Sequence, residues 1–300
     1  MTALVTQSEL EGLEKRLAAA LRSGHAADLE VIGYGEVSLA LRLSTPRGEL
    51  ACKRLVPFRS VEEAERAVSA IAQYVEALRA CGLDVVETQT PILSGPDGFI
   101  VYCVQPMLPP GSLGPDFLRA LPVDEALVQV QRIFELIGRS VTARLAPDGQ
   151  LSNWAFDRGR LLYLDVGTPF LRDAEGRQLF DFRTQTRALP RPLPGIVNRF
   201  LLKAILDNYH STRGQALDFI GNLNKEGLLA LIAGSIELAN RQFELNPPIT
   251  EAELRSHYRS DARTYALIQS ARRADRWLHR YVLRKPYPYL LPPRIERFGG

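Results

Sequence analysis

Leu39, Leu41 and Leu43 alternate with Ala40, Arg42 and Ser44, and Val37 and Ser38 begin the same series. A period of two marks a strand with one buried face. Pro46, Arg47 and Gly48 then form a turn, and "ELACKRLV" resumes the alternation. With "LEVIGYGEV" upstream, this predicts an antiparallel meander of three short strands. Ahead of it, "SELEGLEKRLAAALRSG" has helical apolar spacing, with Ser8 and Glu11 as a capping box and Gly24 as a stop. Behind it, Ser60 and Glu63 open a second helix that ends at Gly82, its apolar stripe formed by Val61, Ala64, Val68, Ile71, Val75 and Leu78. "LDVVETQTPIL" and "GFIVYCVQPML" read as two further strands, and "LPPGSLGP" breaks the pattern as a hinge.

Beyond the hinge, helical periodicity covers 124–145 and about 195–282, with a hairpin over 151–165 between them. The tail "RKPYPYLLPPRIERF" is too rich in proline for a helix and is expected to lie extended. The predicted class is α+β in two lobes. A helix occupies 1–28, a lobe with a five-stranded antiparallel sheet and one helix 29–108, a mainly helical lobe with the hairpin 109–285, and a Pro-rich tail 286–300.

Composition narrows the function classes. An apolar fraction of 46% and a charged fraction of 24% are those of an ordinary folded chain. No apolar run is long enough to cross a bilayer, the N-terminus lacks a basic-then-apolar leader layout, and no membrane partner is expected. Cys52, Cys81 and Cys103 are odd in number and have no metal-ligand spacing, which suits buried thiols in a cytoplasmic protein. The net charge of +3 is uneven: residues 1–182 hold 18 Lys/Arg against 24 Asp/Glu, and residues 183–300 hold 19 against 10. An Arg-rich half is either a solvated helical surface or a face for an anionic partner. No basic repeat interleaved with aromatics occurs, so nucleic acid is not expected as a partner.

The candidate chemistry is carried by polar residues at the ends of strands. Gly33 and Gly35 sit between two strands, as a plain hairpin turn or as backbone that a phosphate can approach. Lys53 is centred in the third strand, opposite in face to Cys52, within reach of such a phosphate. Holding it there calls for a carboxylate from the next helix, for which Glu76 is preferred over Glu65. Asp148 precedes Asn153 by five residues and Asp165 by seventeen, and the hairpin places Asn153 and Asp165 at its two ends. A base near an acceptor hydroxyl and oxygen ligands for Mg²⁺ are what phosphoryl transfer needs.

In this order the residues resemble the protein-kinase-like superfamily, and from Asn153 onward the aminoglycoside and choline phosphotransferase branch. The shared pattern reads here as Asp148, Asn153, "WAF", Asp157, "RGR", "LLYL" and Asp165, with "DVG" similar to the metal-binding tripeptide of protein kinases. The resemblance implies a two-lobed kinase-like fold and an ATP- and Mg²⁺-dependent phosphotransferase acting on a hydroxyl of a small molecule. It assigns Asp148 to the acceptor hydroxyl, Lys53 and the Gly33–Gly35 turn to the phosphates, and Asn153 and Asp165 to the metal. Gln105 and Met107, in "YCVQPML", fall where a hinge backbone binds adenine. Two departures stand out. Ala146 occupies the position of a usual His or Tyr, and no Ala-Pro-Glu-like segment follows Gly167. The second argues against a protein substrate, and the first leaves open a nucleotide-binding module without transfer activity.

Overall fold

Leu10, Leu13 and Leu17 share one face of helix α1 (Gln7–Ser23), and all three are buried against a sheet. The computed structural model describes residues 3–23, 29–35, 38–95, 98–191 and 193–292. Gly24, Glu36, Val37 and the last eight residues of the expected tail lie outside them. The capping box of α1 is Thr6 and Glu9, not Ser8 and Glu11. Thr6 donates its N–H (2.7 Å) and hydroxyl (2.8 Å) to Glu9 Oε2, and the Glu9 N–H donates back to Thr6 Oγ1 at 3.3 Å. The same three-residue spacing recurs two positions earlier, where it ties down the first turn.

The sheet comprises β1 (Val31–Tyr34), β2 (Leu39–Thr45), β3 (Gly48–Arg54), β5 (Ile92–Gly95) and β6 (Gly98–Pro106). Its order is β1-β2-β3-β6-β5, antiparallel throughout. Helix α2 (Val61–Ala80) follows β3 and is capped by Ser60, whose hydroxyl accepts the Glu63 N–H. The expected fourth strand is split in two. Asp84–Val85 (β4) pairs elsewhere, Gln89 makes a single antiparallel bridge to Val104, and Ile92–Gly95 joins the sheet as a strand. Pro91, just before it, has no N–H to give to a ladder.

The two faces of the sheet are covered by different helices. Leu41, Leu43, Cys52 and Tyr102 pack with α1, while Leu55, Val101 and Cys103 pack with α2. Lys53 therefore lies on the α2 side. The buried face of α2 is Ala64, Ala67, Ala70, Ile71, Tyr74 and Leu78. Val61 is exposed and Val68 and Val75 only half-buried, so the stripe is rotated from the expected one. Cys52 and Cys103 are buried free thiols and Cys81 is half-buried.

After residues 107–113 the chain enters the helical lobe. A short helix, α3 (Gly114–Arg119), forms within the segment expected to be loop, helped by Pro115 in its first turn. Helix α4 (Val123–Ser140) ends five residues earlier than the periodicity suggests, because Val141 turns extended. β7 (Leu145–Ala146) pairs with β10 (Phe170–Leu171). The hairpin β8 (Trp154–Asp157) and β9 (Arg160–Tyr163) pairs through β9 with β4, which joins the two lobes. Arg158 and Gly159 take positive φ at its two-residue turn. Short turns α5 (Arg183–Thr186) and α6 (Leu193–Ile196) lead to α7 (Leu202–Tyr209), α8 (Thr212–Lys225), α9 (Ile232–Gln242) and α10 (Glu251–Trp277). The two-lobed α+β class read from the sequence is the one observed. Among the described residues, no helix is long and apolar enough to cross a membrane.

Candidate active site

Lys53 and Asp165 are 112 residues apart in sequence and meet between the lobes. The Lys53 ammonium donates to both carboxylate oxygens of Asp165 at 2.8 Å. Alternation along β3 sends Cys52 into the α1 core and Lys53 to the opposite face. Asp165 is aimed from the other lobe by its neighbours in sequence. The Leu164 N–H donates to the Asn153 carbonyl (2.9 Å), the Gln105 amide donates to the Leu164 carbonyl (2.8 Å), and the Gly167 N–H donates to Asp165 Oδ1 (3.1 Å). A Cβ on Gly167 would press at 3.2 Å on Leu55 and touch Cys103 and Lys53, so glycine lets this segment approach the sheet. Burial opposes the charge on Lys53, but the Asp165 carboxylate outweighs it and the ammonium is held above its ordinary range.

Asp148 lies in the loop after β7, and its main chain is gripped from four directions. Its N–H donates to the Tyr163 hydroxyl at 2.8 Å. Tyr74 donates its hydroxyl to the Ala146 carbonyl at 2.9 Å. Gln215, 1% exposed, donates to the Pro147 carbonyl (2.7 Å) and accepts the Gly149 N–H (2.8 Å), and Trp154 donates to the Gly149 carbonyl (3.2 Å). A Cβ on Gly149 would collide with Gln215 Oε1, so the loop requires glycine there. The Asp148 carboxyl accepts the Gln150 N–H at 3.2 Å. Burial, reinforced by the negative charge of Asp165, nevertheless pushes its pKa up to about 7. Such a carboxyl exchanges a proton near neutrality, which suits a general base.

Asn153 closes a single 3-10 turn (Leu151–Asn153), and its amide nitrogen donates to the Asp148 carbonyl at 3.3 Å. Its amide oxygen and the Asp165 carboxylate are hard oxygen donors of the kind Mg²⁺ takes, with the rest of its shell from phosphates and water. Among the described residues, no cluster of three or more His, Cys, Asp or Glu side chains is placed to hold a metal alone. Asn153 and Asp165 would supply two oxygen ligands to a metal that arrives with a phosphate.

Other expected residues fall elsewhere. Glu65 and Glu76 are both exposed on α2, and the Lys53 ammonium goes to Asp165 instead of to either. The face of α2 turned to the sheet carries only apolar side chains and Tyr74, so it offers no carboxylate. The Met107 N–H, expected to be open to a base, donates to the Glu49 carbonyl at 2.9 Å. Gln105 bridges Thr88 and Leu164 with its side chain. Gly33 pairs with Ala40, and the Gly35 N–H donates to the Ser38 carbonyl at 3.1 Å. Gly35 lines a cavity of about 30 Å³ with Leu17, Arg54, Arg272 and Tyr289, away from the Lys53–Asp165 pair.

Tyr74, Tyr163, Trp154 and Gln215 were not among the sequence candidates. A tyrosine at helical spacing within an apolar stripe was a usable signal, since a buried phenol must find a partner. Nothing in the sequence around Gln215 marks it.

Fold and site together define a two-lobed α+β protein with a lysine–aspartate pair and a second aspartate of raised pKa at the junction of its lobes. The chain belongs to a family of unknown function, DUF6206, whose signature matches residues 12–276. No curated protein matches it. Among solved structures it is similar to WaaP in complex with acyl carrier protein, at 13% identity and a TM-score of 0.42, over 88% of this chain and 99% of that one. It is also similar to the PknI kinase domain of Mycobacterium tuberculosis, C20A mutant, at 16% identity and a TM-score of 0.36, over 73% of this chain and 95% of that one. Superpositions this loose transfer no role.

Proposed function

We propose that this chain is a protein-kinase-like phosphotransferase that uses ATP and Mg²⁺ to phosphorylate a hydroxyl of a small molecule. The observation that carries the reading is the meeting of Lys53, from the sheet, with Asp165, from the end of the hairpin, beside a half-buried Asp148 of raised pKa. In this reading the acceptor oxygen forms a bond to the γ-phosphorus as the bond from that phosphorus to the β–γ bridging oxygen breaks. The hydroxyl proton passes to Asp148, and ADP leaves. Lys53 neutralises phosphate oxygens, and the clamped loop holds Asp148 in register, so that positioning and charge supply most of the rate. A bound Mg²⁺, held by Asn153 and Asp165, would draw charge from the phosphates.

A second reading, a nucleotide-binding module without transfer, is favoured by the absence of a helix carboxylate beside Lys53 and by the occupied Met107 N–H. One experiment addresses both. Melting of wild type and Asp165→Ala is followed with ATP, with and without Mg²⁺. Ligand at a hundred times its dissociation constant adds about 2.7 kcal/mol of stability. A Mg²⁺-dependent rise lost in the variant supports nucleotide binding, and no rise in any condition overturns both readings. ADP release in the presence of pooled hydroxylated metabolites then separates transfer from binding alone.

A further inference from the structure

The end of α10 carries an unusual concentration of exposed apolar side chains. Trp277, Leu278, Tyr281, Val282 and Leu283 are each 41–63% exposed. Interleaved with them are Arg276, Arg280, Arg284 and Lys285, also exposed, and the run 276–286 has no acidic residue. Among the described residues, none of these four cations pairs with a carboxylate, while Arg280 lies over the Tyr281 ring at 5.9 Å.

This segment is the tip of a built hook and not a frayed end. Past α10 the backbone widens into one π-helical turn (Leu278–Val282), and Arg284 then takes a φ of +52°, which reverses the chain. The turn is tied by the Leu283 N–H to the Leu278 carbonyl (3.0 Å) and by the Lys285 N–H to the His279 carbonyl (2.9 Å). The returning strand is fastened behind the tip. Tyr287 is buried with its ring edge-on to His279 at 5.5 Å, Tyr289 lies under the Arg272 guanidinium at 5.4 Å, and Arg273 donates to the Pro292 carbonyl at 3.2 Å. The inward side chains hold the hook, and the outward ones are left facing solvent.

We propose that the tip docks the protein on the surface of a bilayer containing anionic lipid. The composition matches that partner at each point. Trp and Tyr favour the zone between headgroups and acyl chains, and Leu and Val enter its apolar side. Arginine and lysine on the same tip reach back to lipid phosphates, for which each cation near an anionic surface contributes roughly five-fold in partition. A protein groove lined by carboxylates would satisfy the charges, but a convex tip of large apolar side chains with no acidic residue fits the lipid surface better. Such a segment lies on a membrane and does not span it.

The test uses the full chain and sucrose-loaded vesicles of phosphatidylcholine, alone or with one quarter phosphatidylglycerol, at 0.1 M salt. Wild type should partition at least ten-fold more strongly onto the anionic vesicles and lose several-fold of that at 0.5 M salt. The chain has two tryptophans, and Trp154 is fully buried, so a blue shift of the emission on adding vesicles reports Trp277. Arg280→Gln with Arg284→Gln should weaken partition by about 25-fold, and Leu278→Ala with Tyr281→Ala should weaken partition and shrink the blue shift of the retained Trp277. Unchanged far-UV circular dichroism checks that both variants remain folded. The proposal is overturned if wild type does not pellet with anionic vesicles, or pellets equally with both compositions. It is overturned too if the variants pellet like wild type, or if the apolar pair instead breaks a wild-type dimer, which would make a second copy the partner.

Discussion

The Tyr163 hydroxyl accepts the main-chain N–H of Asp148, fifteen residues back, at 2.8 Å. Tyr163 ends β9 while Asp148 sits in the loop before β8, so the hairpin folds its own last strand against the residue that precedes it. Tyr74, whose oxygen is 3.4 Å from that of Tyr163, fixes the Ala146 carbonyl. Two phenols thereby hold the main chain of the loop on both sides of Pro147.

Tyr163→Phe should therefore leave the Asp148 N–H buried without a partner. The expected loss is about 1–3 kcal/mol of stability, measured by urea unfolding. If the chain transfers phosphate, kcat should fall more than KM rises. Adding Tyr74→Phe should give less than the sum of the single effects, because the phenols share one network.

Gln215→Ala removes three hydrogen bonds at once, two buried ones to Pro147 and Gly149 and a part-buried one to Tyr209. Hydrogen exchange should speed at Gly149, whose N–H would lose its acceptor, and the global loss should reach roughly 2–4 kcal/mol. Gly149→Ala should perturb the same loop from the opposite direction, by collision with Gln215. A melting temperature for either variant equal to wild type would show that the clamp is not what orders the loop.

Asp148 gives a pH signature. Its folded pKa of about 7 lies above the ordinary value of 3.8, so the native state holds the proton more tightly than the unfolded chain. The stability this contributes is complete below about pH 4 and is lost as pH rises through about 7. Asp148→Asn should accordingly stabilise the ligand-free protein at pH 8, by on the order of a few kcal/mol, and change little at pH 4. Melting curves across that range check the sign. If the chain transfers phosphate as proposed, activity should run the other way, rising through pH 7 as the carboxylate forms and lost in the variant.

Lys53→Met and Asp165→Asn should each destabilise the protein by about 1–3 kcal/mol, less than for a fully buried pair because solvent reaches both side chains. The double variant should lose less than the two added together, and a thermodynamic cycle on the four proteins measures the difference.

The strands and helices were legible because their apolar periodicities are strong. Leu39, Leu41 and Leu43 place β2, and Ser60 with Glu63 places the start of α2. Asp148, Asn153 and Asp165 were legible as a spacing, since a short hairpin fixes the distance between its ends. The partner of Lys53 was not. A carboxylate on the following helix is nearer in sequence, yet rotation of the α2 stripe turns Glu65 and Glu76 to solvent. The Asp148 clamp is made of side chains from α2, β8, β9 and α8, and a contact of that range leaves no local period to read. Gln215 shows the limit most clearly, because a glutamine on an otherwise ordinary helix becomes the best-anchored polar side chain near the site only once α8 packs beneath the loop.

Helix α10 begins on the helical lobe, where Glu253 pairs with Arg213 and His257 with Asp218, and its 27 residues extend roughly 40 Å at 1.5 Å each. At the far end Arg272 and Tyr289 line one cavity with Leu17, Leu21 and Gly35, and Leu290 packs on the core beneath α1. The lobes are thus joined not only by the chain at 107–113, the β4–β9 pairing and the Lys53–Asp165 pair but also by this strut. A body hinged at one point swings freely, whereas one braced across the gap moves only if the brace bends or lets go. Leu290, seated on the core beneath α1, is therefore a point at which the tail ties the sheet to the far end of the long helix.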